Sequence, residues 1–391
     1  MTQKGTIKSV QKISGQLKNV EKELNSAYLE RKAEIRSLII TLLANENIAL
    51  VGPPGVGKTG MVGAFTQLIN GVYFNKQVDG FTQPEDILGH HSFKKLREDD
   101  VRQLKTANYA SEADIAYIGE GFKMNNTMMN SMLLLLNERC VDVGEGIRKK
   151  ATTKMIITDS NEYPTDGELA AFWDRWVVRM HVSDLCHDSS FDKFWDGFGN
   201  GSIGQIDTSK AVSMKSVEEM RSYLWLVDSG PVKKVVKHIR SELMKEDIVL
   251  STRRWGKIKK MLHASSLYNG RMECTSKDLE ILNHCLWRTV DERAVVNGII
   301  SKCIGGDVHA AHKLLSQARR AMSDLQNANI PSGAGGVQYL GPLVAQMQQY
   351  HQEAIKLDNS DPDIAEATEF IAKCCHSIGQ MVNDRLRVRG A

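Results

Sequence analysis

The sequence lacks the features that mark secreted proteins, membrane-spanning proteins and proteins with cysteine-bound metal sites. Its seven cysteines are odd in number and lack the spacing of metal ligands, which favours reduced thiols. No apolar run approaches the roughly 18 residues that a membrane-spanning helix needs, and no apolar segment follows Met1 as in a signal peptide. These absences predict a cytoplasmic protein without a membrane span.

An excess of charge of either sign is also missing. The net charge is +3 over 391 residues, and aromatic residues are not interleaved with basic ones. Because nucleic-acid-binding proteins concentrate basic residues on one surface, we expect no nucleic-acid partner, and a nucleic-acid motor is the weakest of the alternatives. The length exceeds that of one ordinary core, so the chain is expected to form two or three domains.

A phosphate-binding motif dominates what is present. Residues 52–59 read GPPGVGKT, the complete G-x-x-x-x-G-K-[ST] pattern. The motif follows an apolar run at 48–51 and opens a helix-like segment at 60–68, which is the strand–loop–helix context of a nucleoside triphosphate site. Lys58 would reach the β- and γ-phosphates, and the Thr59 hydroxyl would bind Mg²⁺. The predicted nucleotide-binding residues are Gly52, Pro53, Pro54, Gly55, Val56, Gly57, Lys58, Thr59 and Gly60.

Short β-like segments alternate with helical ones along the first half of the chain. The predicted strands are 47–51, 71–75, 114–118, 154–158 and 176–182. Such alternation predicts an α/β fold, in which helices cover both faces of a parallel sheet.

Three further segments have patterns of their own. Residues 6–45 are predicted to be helical from their apolar spacing. Residues 94–103 are mixed in charge and poor in apolar residues, so an exposed insertion is expected there. Glycines interrupt an alternating pattern over 140–147, which favours a small hairpin.

Glycine-rich segments divide the chain into three predicted parts. A linker is expected over 195–204, with further breaks at Gly305-Gly306 and over 330–336. The expected parts are an α/β nucleotide-binding domain with N-terminal helices (1–195), a helical domain (205–300) and a helical C-terminal extension of unknown role (305–391).

Residues suited to phosphoryl transfer follow the later strands. Such a site needs a metal ligand, a group that orients the attacking water and cations that meet the charge on the γ-phosphate. Glu120 ends the third predicted strand, and Asn161 lies at the end of the fourth. Arg175 precedes the fifth strand, and Arg253 opens a helix of the second domain. Arginine suits this role because its planar fork donates to two phosphate oxygens at once.

With these residues in place, the chain resembles an AAA+ ATPase of the MoxR family, and within it the RavA branch. The resemblance covers about residues 10–295, and its short matches occur in one order along the chain. They are YLER (28–31), GPPGVGKT (52–59), FTQPED (81–86), LLNER (135–139), SNEYP (160–164), DR (174–175), STRRW (251–255), HASS (263–266) and NGR (269–271).

The resemblance implies a P-loop AAA+ core with a five-stranded parallel sheet, a helical lid domain and a ring, usually a hexamer, with ATP and Mg²⁺ at each subunit boundary. It also implies a chaperone-like remodeller of a protein client, often working with a protein that carries a von Willebrand factor A (vWA) domain. By position, the implied roles are Walker A for Lys58 and Thr59, Walker B glutamate for Glu120, sensor 1 for Asn161, arginine finger for Arg175 and sensor 2 for Arg253.

One departure from the family pattern concerns the metal. Gly119 stands where the Walker B aspartate is expected. We hypothesise that Asp159 compensates, because it lies two residues before Asn161 and a strand would place both on one face. Alternatively, Asp159 only solvates a strand end. A third possibility is a slow or nucleotide-gated ATPase, or a structural ring in which nucleotide serves as glue. Hydrolysis is favoured because the four catalytic candidates would otherwise lack a joint purpose.

Overall fold

A computed structural model of the protein describes residues 3–164, 169–198, 203–328, 330–331, 334–357 and 362–387. The chain divides into two compact units. The first comprises Met1–Pro231, Ile248–Cys274 and Ile281–Arg293, and the second comprises Val232–Asp247, Thr275–Glu280 and Ala294–Ala391. No helix in the described ranges has the length and apolar character that crossing a bilayer demands.

Secondary structure alternates between helix and strand in the first unit and is helical in the second. Within the described residues the strands are β1 (Asn47–Val51), β2 (Tyr73–Gln77), β3 (His90–His91), β4 (Leu104–Lys105), β5 (Ile115–Gly119), β6 (Cys140–Asp142), β7 (Arg148–Lys150), β8 (Met155–Ser160) and β9 (Val178–His181). The α-helices are α1 (Gln3–Ala27), α2 (Lys32–Ala44), α3 (Lys58–Ile69), α4 (Glu85–Leu88), α5 (Phe93–Asp99), α6 (Asn126–Glu138), α7 (Ala170–Trp173), α8 (Asp188–Gly197), α9 (Met214–Ser222), α10 (Lys233–Lys245), α11 (Thr252–Tyr268), α12 (Val290–Asn327), α13 (Ala334–Ile355) and α14 (Pro362–Arg387).

A five-stranded parallel sheet with the order β2-β5-β8-β1-β9 forms the centre of the first unit. β1, β5 and β8 are buried along their whole length, as expected for inner strands covered by helices on both faces. The register places Leu50 beside Asp159 and Val51 beside Ser160, so the ends of β1 and β8 meet at one edge. The predicted α/β fold with its five-stranded parallel sheet is confirmed.

The second strand begins two residues later than predicted. Val72 N donates to the side-chain Oδ2 of Asp114 at 2.9 Å. Regular pairing with β5 therefore starts only at Tyr73, which lies opposite Ile115.

Two small antiparallel hairpins project from the sheet. One pairs β3 with β4 around α5, and α5 has no buried residue, in agreement with the predicted exposed insertion. The other pairs β6 with β7 and confirms the predicted hairpin. Leu104 N donates to Val143 O at 2.9 Å, so a backbone hydrogen bond links the two hairpins.

The predicted helical segment 6–45 forms two helices, because the chain turns between α1 and α2. Glu30 has a φ of +55°, which a continuous helix does not allow. Its carboxylate accepts hydrogen bonds from the backbone N–H groups of Cys186 (2.8 Å) and His187 (3.0 Å). Arg31 Nη2 donates to Ser183 O at 2.7 Å. The break is therefore an anchor between the N-terminal helices and the segment that follows β9.

The break expected at Gly305-Gly306 is wrong, because α12 runs through both glycines from Val290 to Asn327. A glycine costs a helix only about 1 kcal/mol relative to alanine, which packing can offset. Within the second unit, Ala311 and Leu315 of α12 pack with Ile364 and Ala367 in one buried cluster. Of the other predicted breaks, residues 199–202 and 332–333 lie outside the described residues.

Candidate functional site

The loop between β1 and α3 has the geometry of an anion-binding cradle. A Cβ atom at Gly52 would lie 1.9 Å from Val182 O, so only glycine allows this approach to the end of β9. Gly57 has a φ of +82° and immediately precedes the first turn of α3. The free N–H groups and positive dipole end of that helix favour a phosphate at this position.

Lys58 lies in the middle of the cradle and is only 6% exposed. Its Nζ donates to Gly52 O (2.6 Å), to Pro53 O (3.0 Å) and to the side-chain Oδ1 of Asn161 (3.2 Å). Burial lowers the pKa of Lys58, and the nearby Asp159 and Glu120 carboxylates oppose that shift. The ammonium group is thus held where a phosphate at the cradle would meet it.

Asn161 connects this lysine to the carboxylate after β5. While its Oδ1 accepts from Lys58, its Nδ2 donates to Glu120 Oε1 at 2.7 Å. The result is a continuous line of hydrogen bonds, which we name the Lys58–Asn161–Glu120 chain. Its three side chains follow three adjacent strands of the sheet, β1, β8 and β5.

Glu120 itself has an unusual backbone. Its φ of +58° is left-handed, a conformation that costs a non-glycine residue about 1–3 kcal/mol. Its N–H donates to Asp159 Oδ1 at 3.0 Å, and Lys123 Nζ lies 3.2 Å from its Oε2. This conformation turns the Glu120 side chain towards Asn161 instead of along the strand.

Beside Glu120, another side chain occupies the space next to Gly119, the position predicted from the sequence to lack a Walker B aspartate. A Cβ atom at Gly119 would lie 2.1 Å from Oε1 of Gln77, the residue paired with Gly119 on β2. Gln77 therefore extends over Gly119. An aspartate at position 119 would require the Gln77 amide to move.

A buried tyrosine joins the two predicted metal ligands. The Thr59 Oγ1 and the Tyr117 hydroxyl are 2.9 Å apart, and the same tyrosine acts to lower the pKa of Asp159. Asp159 is 6% exposed, and burial raises its pKa, while hydrogen bonds from Glu120 N–H and Tyr117 oppose the rise. Thr59 and Asp159 thus contribute to one polar corner beside the cradle.

This corner has the donor chemistry of a magnesium site. Mg²⁺ prefers oxygen ligands and is usually held by one or two carboxylates together with substrate phosphates. In the described part of the chain, no group of three or more His, Cys, Asp or Glu side chains could hold a metal alone. Thr59 and Asp159 fit an ion that arrives with a nucleotide.

The two predicted arginines lie apart from these groups. Within the described ranges, neither Arg175 nor Arg253 hydrogen-bonds to the Lys58–Asn161–Glu120 chain. The Arg175 side chain is 17% exposed, and its Nη1 donates to Asp174 Oδ2 at 3.3 Å. Arg253 is exposed on the first turn of α11, whereas Arg254 beside it is 2% exposed.

Comparison with known proteins identifies the family. Residues 15–222, more than half of the chain, match the model of the MoxR domain in the MoxR-vWA-beta-propeller ternary systems. Residues 231–300 match the AAA lid domain.

The chain belongs to the MoxR family of AAA+ ATPases. Two uncharacterized proteins of Methanocaldococcus jannaschii are similar to this MoxR-type ATPase. One is 31% identical over 291 residues, or 74% of each chain, and the other is 32% identical over 276 residues, or 71% of this chain and 72% of the relative. A structural protein of Acidianus two-tailed virus is 24% identical over 228 residues, which are 56% of this chain and 37% of the viral protein.

A solved structure is similar to this MoxR-type ATPase over most of its length. It is a Cytophaga hutchinsonii protein named for an inferred ATPase activity, with a TM-score of 0.61 and 18% identity. The likeness covers 77% of this chain and 97% of the other, and it supports the AAA+ fold.

The prediction from the sequence did not include four residues that shape this site. Gln77 extends over Gly119, and Tyr117 contacts Thr59 at the polar corner. Asn47 and Arg254 hold the segment around Arg175. Arg254 could have been noticed in the sequence. It follows Arg253 directly, and because two adjacent residues of a helix cannot share one face, the two arginines had to have different surroundings. For the other three, only the strand register brings the side chains to the site.

Proposed function

We propose that this MoxR-type ATPase hydrolyses Mg–ATP at the subunit boundaries of a homo-oligomeric, RavA-like ring and uses the energy to remodel a protein client. One observation carries the proposal. The Asn161 amide hydrogen-bonds both the Lys58 ammonium and the Glu120 carboxylate, at 3.2 Å and 2.7 Å. A pure nucleotide binder needs the lysine but has no use for a carboxylate oriented by the same amide.

The side chains of the site divide the chemistry between them. The P-loop amides and Lys58 would bind the β- and γ-phosphates and meet the negative charge that develops during transfer. Glu120 would orient the attacking water and accept its proton, while Asn161 keeps the carboxylate facing the phosphate. Mg²⁺, when bound at Thr59 and Asp159, would neutralise charge on the phosphate oxygens.

Arginines would complete the site from outside the cradle. We assign Arg175 to the nucleotide of the neighbouring subunit and Arg253, on α11, to the nucleotide of its own subunit. Head-to-tail contacts that close into a ring place a different surface of each subunit at the two sides of every boundary. Under this assignment an isolated subunit lacks one cation and hydrolyses ATP poorly.

Substitutions at the cradle test the proposal. Lys58→Ala should abolish both binding of a fluorescent ATP analogue and steady-state phosphate release. Glu120→Gln should keep the analogue bound and lower phosphate release about 100-fold or more, the usual worth of a general base. Glu162→Gln is the matched control, because Glu162 is exposed close to Asn161 in sequence. Equal rates for wild type and Glu120→Gln would contradict hydrolysis at this site.

For the client, we propose a protein with a vWA domain, because the matching family model is named for systems that contain one. The Glu120→Gln variant should retain ATP and client together. With Lys58→Ala as the control, a vWA-domain protein enriched only with the first variant would support this partner. Enrichment with both variants, or with neither, would argue against it.

A second candidate function is a structural ring in which nucleotide serves as glue. It is favoured by Gly119, since Gln77 extends over the position of the usual aspartate. A relative named as a viral structural protein points the same way. In that case ATP would promote assembly equally in wild type and Glu120→Gln, and wild-type phosphate release would stay at the Lys58→Ala level.

We retain the predicted division into 1–195, 205–300 and 305–391 as functional parts, with the last boundary lying inside α12 and not at a structural break. In this proposal, residues 205–300 act as the lid and carry Arg253. Deletion of 305–391 that leaves ATPase activity intact would assign that segment to client or partner contacts.

A further inference from the structure

The carboxylate of Asp174 connects Arg175 to an arginine of α11. Its Oδ2 accepts from Arg175 Nη1, and its Oδ1 accepts from Arg254 Nη1, each at 3.3 Å. Asp174 thus stands between the predicted arginine finger and the helix that presents Arg253. The two contacts use different oxygens, so both are made at once.

Arg254 is a fixed point in this arrangement. It is 2% exposed, and its remaining donors are occupied by backbone carbonyls. Nε and Nη2 donate to Cys285 O at 3.0 and 2.7 Å, and Nη2 also donates to Val177 O at 3.1 Å. These acceptors belong to residues outside α11, so the guanidinium ties the first turn of α11 to residues 177 and 285. A shift of α11 relative to these residues would therefore change the contact between Arg254 and Asp174.

The backbone at Arg175 is held independently. Asn47 Nδ2 donates to Arg175 O at 3.2 Å, and Asn47 Oδ1 in turn accepts from Arg139 Nη2 at 2.7 Å. Arg179 donates to Trp173 O and Trp176 O on either side, both at 3.1 Å. With the backbone fixed, the orientation of the Arg175 guanidinium depends mainly on its contact with Asp174.

That contact is of a kind that a nucleotide could replace. The Asp174 side chain is 40% exposed and the Arg175 side chain 17%, and ion pairs that solvent reaches are worth about 1 kcal/mol. A triphosphate offers the same guanidinium several charged oxygens. Arg175 can therefore leave Asp174 for a phosphate, while Arg254 remains in place.

We propose that Asp174 is a positioning residue that couples α11 to Arg175, so that the state of the lid helix in one subunit sets the orientation of the guanidinium offered to the next subunit's nucleotide. The inference rests on the proposed function, because it requires Arg175 to act across the boundary. It predicts that loss of the Asp174 carboxylate damages the neighbour's site and spares the subunit's own.

Mixed rings separate these possibilities. Alone, Asp174→Asn should bind an ATP analogue as wild type does but lose about 100-fold in kcat, a loss typical of a misplaced catalytic group. Lys58→Ala alone should be inactive. When the two variants are mixed in equal amounts, boundaries with an intact Arg175 from one and an intact cradle from the other should recover about a quarter of the wild-type rate. Arg175→Ala mixed with Lys58→Ala is the reference pair, and Asp192→Asn, an exposed carboxylate on α8, is the matched control.

The outcomes are distinct. Recovery in both mixtures supports the proposal. Recovery in the reference mixture without recovery in the Asp174→Asn mixture overturns it, because the defect then lies in the subunit's own site or fold. Wild-type kcat for Asp174→Asn also overturns it. Failure of the reference mixture overturns the action of Arg175 across the boundary, and the coupling with it. If Asp174→Asn does not fold, Asp174→Ser takes its place in the same mixtures.

Discussion

The two halves of the proposed site are built in different ways. The Lys58–Asn161–Glu120 chain consists of contacts between side chains at the ends of adjacent strands. Around Arg175, buried side chains are instead bound to backbone carbonyls, as Arg254 is to Cys285 O and Val177 O. Side-chain contacts can be exchanged for contacts with a ligand, whereas contacts to the backbone fix the position of a whole segment. The first half is therefore suited to chemistry, and the second is suited to presenting a group to another molecule.

A large effect is expected at Arg175, the group that the second half presents. Arg175→Ala should lower kcat about 1,000-fold or more, the usual worth of an arginine finger, with little change in nucleotide affinity. Arg175→Lys should not restore the rate, because an ammonium lacks the planar fork. Steady-state phosphate release with analogue binding measures both. Arg240→Ala, at an exposed position of α10, is the control. A kcat within tenfold of wild type for Arg175→Ala would show that the segment around Arg175 takes no part in the reaction.

A smaller effect is expected at Asn161, the centre of the first half. Asn161→Ala removes the amide that holds Lys58 and Glu120 and should lower kcat about 100-fold. Nucleotide affinity should fall much less, because Lys58 keeps Gly52 O and Pro53 O as acceptors. A comparison of kcat with the dissociation constant of an ATP analogue checks this split. Equal losses in both quantities would show that Asn161 serves binding alone.

The adjacent residues Arg253 and Arg254 sharpen the comparison within one turn of α11. Arg254→Met leaves buried carbonyls without donors and should cost about 3 kcal/mol of unfolding free energy, which lowers the melting temperature by about 6 °C or more. Arg253→Met, at an exposed position, should leave the melting temperature unchanged and reduce ATP turnover. Thermal unfolding and phosphate release on both variants make the test. If Arg253→Met lowers the melting temperature and Arg254→Met lowers only ATP turnover, the structural and catalytic roles that we assign to the two arginines are the wrong way round.

Asp159 is expected to link metal binding to stability. Asp159→Ala should abolish Mg²⁺-dependent turnover, and the more conservative Asp159→Asn should lose the rise in melting temperature that Mg²⁺ adds in the presence of a non-hydrolysable ATP analogue. The matched control is Asp142→Asn, in the β6–β7 hairpin. If Mg²⁺ stabilises Asp159→Asn as much as wild type, Asp159 only solvates a strand end.

The smallest expected effect is a pH dependence of the same residue. Burial raises the pKa of Asp159 in the folded state above its ordinary value. The folded state therefore holds this proton more tightly than the unfolded state, so stability falls as pH rises from the ordinary carboxyl pKa through the raised value. Without nucleotide, Asp159→Asn should be more stable than wild type at neutral pH and equal to it at low pH. Melting temperatures across pH test this sign, and a variant less stable at neutral pH would contradict it.

Much of the fold and the first half of the site could be predicted from the sequence, for a physical reason. The P-loop motif is contiguous, and the strand before it is an apolar run, so residues 47–51 were predicted with the bounds that β1 has. Glu120 and Asn161 could be predicted because each follows a strand, and parallel strands end at one edge of a sheet. Local pattern and chemistry coincide at these positions.

The second half could be read only in part, because its contacts join distant segments. Arginine is usually found at the surface. Arg254 and Arg179 are nevertheless both buried, and both donate hydrogen bonds to backbone carbonyls. Gln77 and Tyr117 matter through strand register, which no single segment encodes. The turn within the helical segment 6–45 could not be predicted, because the conformation at Glu30 depends on N–H groups of residues 186 and 187. Turns held by distant partners leave little local signal.

The most direct test of the account is a double-mutant cycle on kcat with Asn161→Ala and Glu120→Gln. If the amide acts by holding the carboxylate, the two residues work as a unit, and the double variant should be no slower than Glu120→Gln alone. If instead the two losses multiply in the double variant, Asn161 and Glu120 act independently, and the hydrogen-bonded line from Lys58 to Glu120 is not the basis of hydrolysis.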